Sequence, residues 1–216
     1  MATQRDIVRT LLDRYGRTYA QQAGITVKDT PQPLYRLLVL AHLLSARIKA
    51  DIAVAAAREL NAAGLRDARH MADADWQQRV DALGRGGYRR YDERTATQLG
   101  EAARLVSEEY GGDLRRLRER EEGDVAGLKR ELRRFPGIGP AGADIFLREA
   151  QEVWPETAPY LDAKALQGAR AVGLPDDPRA LVRLAPGTAP AHLAAALVRV
   201  ALDKDAARDV RESVGV

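Results

Sequence analysis

An all-α fold is predicted by three features of this sequence. Apolar residues recur at spacings of three and four through most of the chain. No stretch reads as a strand of any length. Glycine or proline punctuates the intervals between the helical runs. With 216 residues, 45% hydrophobic and 30% charged, the chain can build a real core in one or two domains and does not have a disordered composition. A formal charge of +3 fits one basic face more than a wholly basic protein. Cysteine is absent, which excludes disulfides, thiolate zinc sites and iron–sulfur clusters. The three histidines, His42, His70 and His192, are too scattered for a metal constellation. No early apolar run reads as a signal peptide and none is long enough to span a membrane, so a cytoplasmic location is expected.

The first amphipathic helix carries Ile7, Val8, Leu11, Leu12 and Tyr15 and is expected to run on to Gln22, before Gly24 and the Asp29–Pro33 stretch break it. From Leu34 to Ala46 nearly every residue is apolar, the mark of a central, buried helix. His42 lies within it and has no ligand partner at i+4, so it reads as a core or cleft histidine. The segment Ser45–Lys49 connects to a helix over Asp51–Ala63, which Gly64 ends. Asp75–Leu83 follows, with Trp76, Val80 and Leu83 on one face. Then comes Gly84–Tyr91, a glycine-rich loop with three arginines and two tyrosines. A long helix over Asp92–Tyr110 stops at Gly111-Gly112, and the Arg115–Glu122 run alternates in charge like a solvated face. Helices are expected over Ala163–Val172, Asp177–Leu184 and Pro190–Arg208.

The chemistry concentrates between Leu128 and Asp162. Leu128, Leu132 and Phe135 recur at helical spacing, flanked by Lys129, Arg130, Arg133 and Arg134. Pro136 stops that helix, and Gly137-Ile138-Gly139-Pro140 allows a tight hairpin into a second helix with Ala143, Phe146, Leu147 and Ala150. Such a turn leaves the amides of Gly137, Ile138, Gly139 and Ala141 available to one nucleic-acid phosphate, with Lys129, Arg133 and Arg134 adding charge. The alternative is that the hairpin only turns one helix against another. Asp144 suits the start of the second helix, yet would oppose phosphate binding if it faced the nucleic acid.

Leu132–Ala143, Pro159–Ala165 and, more weakly, Leu43–Ala46 together resemble the helix-hairpin-helix, Gly/Pro-rich-loop-plus-Asp superfamily of DNA glycosylases, the endonuclease III-like group. The resemblance covers about Pro33 to Leu174. It implies two helical lobes with a DNA-binding cleft between them: a six-helix barrel over 33–146, ending in the helix-hairpin-helix, and a second lobe from 1–32 plus 147–216. Asp162 falls where the family carries its essential aspartate, whose charge would stabilise an oxocarbenium-like sugar as the base departs. It also suits the N-cap of the helix that follows, and the two roles are compatible.

Bifunctional members place a Schiff-base lysine where this chain has Ala141, so base hydrolysis without a lysine-dependent lyase step is implied. Arg47 stands where a gap-filling glutamine is usual. Tyr88, Arg89 and Arg90 fall where the family wedges the duplex, the other reading of that loop being an exposed basic turn. Tyr35, His42, Tyr160 and Trp154 are candidates for a base-pocket wall or for core packing. No cofactor is required by the resemblance. A monovalent cation, Na+ or K+, would bind the carbonyls of Arg133, Phe135 and Ile138. The implied partner is double-stranded DNA containing a lesion or mismatch, met by a nucleoid-associated monomer. The alternative is a non-catalytic protein binding bent, damaged or abasic DNA.

Overall fold

A computed structural model describes residues 3–215. The described residues are helical, with one 3-10 turn at Pro155–Thr157 and no strand. They divide into two compact units, Ala20–Val153 and a second that joins the chain up to Tyr19 with Trp154 onwards. These boundaries differ from the expected ones at 33 and 146. Residue 146 lies inside an unbroken helix, Pro140–Ala150. Of the segment before 33, residues 20–32 fall in the Ala20–Val153 unit: Ala23 and Ile25 are buried, and Arg36 donates to the Gly24 carbonyl at 3.1 Å.

The Ala20–Val153 unit is built around α3 (Pro31–Ser45), which follows α1 (Gln4–Tyr15) and the short α2 (Tyr19–Gln22). Nine consecutive or near-consecutive α3 residues from Leu34 to Leu43 are buried, as its all-round apolar sequence requires. Around it come α4 (Ala50–Ala62), α5 (Ala68–Asp73), α6 (Trp76–Arg85), α7 (Asp92–Tyr110), α8 (Arg115–Arg120), α9 (Val125–Leu132) and α10 (Pro140–Ala150). α10 and α4 pack on α3, while α5 and α6 pack on α7. Side-chain caps from Asp67, Asp75 and Asp124 start α5, α6 and α9, and left-handed Gly111 closes α7.

The loop between α6 and α7 is held close to the unit. A Cβ on Gly86 would stand 2.4 Å from the Ala56 Cα on α4, so only glycine permits this approach. Tyr88 is then drawn fully inside.

The second unit contains α1, α11 (Ala163–Ala171), α12 (Pro178–Leu184), α13 (Pro190–Leu202) and α14 (Lys204–Val214). α13, rich in alanine, leucine and valine, is its buried axis, and α11, α1 and α14 pack on it. Two expected helices break early. The first ends at Gly16, after Tyr15, and resumes only as the single turn of α2. The last one divides at Asp203, whose carboxylate accepts from the Asp205 and Ala206 amides and so starts α14.

Candidate nucleic-acid interface

The hairpin lies wholly in the Ala20–Val153 unit. Leu128, Leu132 and Phe135 are buried on one side of α9 and its C-terminal turn. Phe135-Pro136-Gly137-Ile138 forms a β-turn in which the Ile138 amide donates to the Phe135 carbonyl at 3.0 Å. Proline at the second position and Gly137 at φ +86° in the third are the requirements of a type II turn. Ile138 is therefore not a free amide, which corrects one member of the expected phosphate-binding set.

Gly139 then caps α10 in an extended conformation with no side chain to satisfy the helix start, and Pro140 has no amide to donate. The first helical bond of α10 runs from Ala143 to the Gly139 carbonyl. Among the described residues no hydrogen bond uses the amides of Gly137, Gly139, Ala141 or Gly142. The Phe135 carbonyl, expected as a cation ligand, already accepts the Ile138 amide and keeps one lone pair.

The basic flank is more neutralised than its composition suggests. Lys129 Nζ lies 2.7 Å from Asp144 Oδ1, and Arg130 Nη2 lies 3.2 Å from Glu121 Oε2. Arg134 bridges Glu109 at 2.7 Å and Glu131 at 2.8 Å, while Tyr110 donates to Glu131. Those carboxylates raise the Arg134 pKa further above its ordinary value. Only Arg133 of this flank has no carboxylate partner among the described residues. Asp144, on α10 itself, therefore holds Lys129 in an ion pair. Asp144→Asn should free Lys129, tighten duplex binding severalfold at low salt and steepen log Kd against log salt by about one phosphate contact. Fluorescence anisotropy across a salt series checks this.

Beside the hairpin the same unit opens a cavity of about 420 Å³. Its wall includes Ser45, Arg47, Tyr91, Arg94, Gln98 and Gly137, with no Asp or Glu. Arg47 and Arg94 are both exposed. Tyr88 also lines it, but is 0% exposed and cannot stand out as a wedge without leaving the core. Its hydroxyl is buried without a hydrogen-bond partner. Burial raises its pKa. The exposed side chains of the loop are Arg89 and Arg90, the latter 5.2 Å from the Tyr91 ring centre. Tyr35 is a core residue that does not line this opening; burial raises its pKa. Tyr91 was read only as one of the two tyrosines of the loop, and Arg94, Thr95 and Gln98 were not singled out from the sequence. Their spacing of three, four and seven places them on one face at the start of α7, a polar stripe that a periodicity reading can find.

His42 is 4% exposed, with its Nε2 3.3 Å from Gln98 Oε1. A carboxamide oxygen only accepts, so the ring carries its proton on Nε2. Burial drives the pKa down to about 4; the Gln98 hydrogen bond opposes this and Arg94 adds to it. In the unfolded chain the group titrates near 6.5, so between these values the unfolded state binds the extra proton. The contribution is full above 6.5 and lost as pH falls towards 4. Urea unfolding should therefore show about 2 kcal/mol lost through this group from pH 7 to pH 5. His42→Gln should flatten that window.

Asp162 belongs to the other unit and is half-buried. It is the N-cap of α11, with Oδ1 accepting from the Ala165 amide at 3.2 Å, which is the capping role read from sequence. Tyr160 is half-buried and Trp154 fully buried in that unit, so the expected base-pocket residues are divided between the two units. Ala141 is exposed on the first turn of α10 and offers no amine. Among the described residues no group of three or more His, Asp or Glu side chains could hold a metal ion. No described helix is long and apolar enough to cross a membrane.

No family model matches the sequence. No curated protein matches it either. Among solved structures, the chain is similar to a trapped covalent intermediate of endonuclease III with DNA, an estranged-adenine complex. The TM-score is 0.50 and the identity 16%, over 91% of this chain and 85% of that one. The likeness gives the fold: this chain has the all-α, helix-hairpin-helix fold of endonuclease III.

Proposed function

We propose that this protein is a monofunctional DNA glycosylase of base-excision repair, acting on duplex DNA that contains a damaged or mismatched base. The observation that carries the reading is the hairpin. A type II turn delivers the unsatisfied amides of Gly139, Ala141 and Gly142 at the start of α10, where a backbone phosphate would be held by hydrogen bonds and the helix dipole. The endonuclease III fold around it supports the same reading. Arg133, Arg47, Arg89 and Arg90, all exposed, would supply further phosphate and gap contacts. A Na+ or K+ ion would be held by the carbonyls of Arg133, Phe135 and Ile138. The protein would act as a monomer in the cytoplasm, on nucleoid DNA.

The target nucleotide must leave the stack before its glycosidic bond can be reached. As the C1′–N bond breaks, the base leaves with the bonding pair and the sugar gains oxocarbenium character. The Asp162 carboxylate would stabilise that charge and orient water, whose oxygen bonds C1′ and whose proton passes through solvent to the departing base anion. The remaining abasic site would stay uncleaved. Ala141 has no amine for a Schiff base, and Lys164, near Asp162 in sequence, donates to Gln167 at 2.8 Å.

One observation favours the non-catalytic alternative: the Asp162 carboxylate is already used as a helix cap. Under that reading the protein only binds bent, damaged or abasic DNA. Borohydride treatment of the protein with lesion-bearing and abasic duplexes separates the cases. The proposal expects free base and no trapped adduct. A trapped adduct contradicts the monofunctional assignment, and DNA binding without base release favours the alternative.

A further inference from the structure

We infer that His42 and Gln98 are positioning residues for the hairpin, holding the Phe135–Ile138 turn so that the amides after it converge on one phosphate. The role rests on the DNA-binding reading above. Three elements meet here: His42 comes from α3, Gln98 from α7, and Gly137 from the turn. A Cβ built on Gly137 would stand 2.3 Å from both Cε1 and Nε2 of His42 and 2.9 Å from Gln98 Oε1. The turn backbone therefore rests directly on the imidazole–carboxamide pair.

The pair is an unusual choice for that support. The rest of α3 from Leu34 to Leu43 is apolar apart from Tyr35 and Arg36, and a leucine at 42 would fill space. A buried imidazole is retained at a desolvation cost that only a hydrogen bond offsets, and here that bond runs to Gln98 at 3.3 Å. Its directionality fixes the ring plane, and the ring plane fixes the height of the turn. The same end of α3 steadies the next turn as well. A Cβ on Gly142 would meet Ile138 Cγ2 at 3.3 Å and Ser45 Cβ at 3.5 Å, while the Ser45 hydroxyl donates to the His42 carbonyl at 2.7 Å. Neutral amides hold a phosphate by geometry rather than by net charge, so a shift in this support acts on binding without removing any contact group.

The test compares His42→Ala, Gln98→Ala, the double variant, His42→Gln and the core control Leu40→Ala. Duplex affinity is read at fixed salt, and the amide resonances of Gly139, Ala141 and Gly142 are read in the DNA-free protein. His42→Ala and Gln98→Ala should each weaken binding about tenfold and shift those resonances. The double variant should be no worse than the weaker single, since both act through one contact. His42→Gln, which keeps an amide N–H for Gln98, should return affinity to within about twofold of the parent. Leu40→Ala should lower Tm and leave affinity unchanged. If His42→Ala does not fold, Gln98→Ala decides the matter. Folded variants with parental affinity and unmoved amides overturn the role, as does failure of His42→Gln to rescue. A parent protein that binds no duplex overturns the DNA-binding reading itself, and this role with it.

Discussion

Replacing Asp162 with asparagine is expected to leave the fold intact and to cut base release about a thousandfold. The substitution separates the observed helix cap from the proposed charge stabilisation. Asparagine caps a helix as well as aspartate does, so the Ala165 amide keeps its acceptor and α11 keeps its start. What is lost is the negative charge, and with it the proposed stabilisation of a cationic sugar. Asp162→Ala removes the cap as well and should cost about 1 kcal/mol of stability in addition. Single-turnover base release beside thermal unfolding checks both. If asparagine and aspartate release base equally, the carboxylate is a cap alone.

Gly137→Ala should be the most damaging change in the hairpin. Its φ of +86° is a region that a side chain makes unfavourable, at about 1–2 kcal/mol. The new methyl would also lie 2.3 Å from the His42 ring, and overpacking of that kind costs a further 1–3 kcal/mol or so. Together these should lower Tm by roughly 10 °C in a chain of this length and weaken duplex binding by more than tenfold. Gly139→Ala is the matched control. A Cβ there meets nothing within 4 Å and its φ is −92°, so stability should be little changed. A Gly137→Ala protein with parental Tm and affinity would contradict the geometry of the turn.

Much of this architecture was legible because its determinants are local. Gly111 ends α7 in the left-handed conformation that its sequence position promised, and Pro136-Gly137 gives a turn type that follows from the two residues alone. The all-round apolar run of α3 announced its burial. What escaped depends on residues far apart in sequence. Lys129 meets Asp144 and Arg134 meets Glu109, so a flank that reads as basic is largely paired. Tyr88 is buried because Gly86 lets the loop close on Ala56, thirty residues earlier. The break between α13 and α14 was local but faint: Asp203 caps a helix where neither glycine nor proline marks an end. Asp162 was placed correctly as a cap from its spacing, whereas no local pattern distinguishes a cap from a cap that also stabilises charge.

Base release is the most direct test of the central claim. The intact protein should be incubated with duplexes that each carry one alkylated, oxidised, deaminated or mismatched base, and the free base measured by mass spectrometry. A glycosylase of this kind should release base from at least one of these duplexes, leaving an alkali-labile abasic site and no spontaneous strand cleavage. No free base from any duplex, under conditions where the protein binds them, would contradict it.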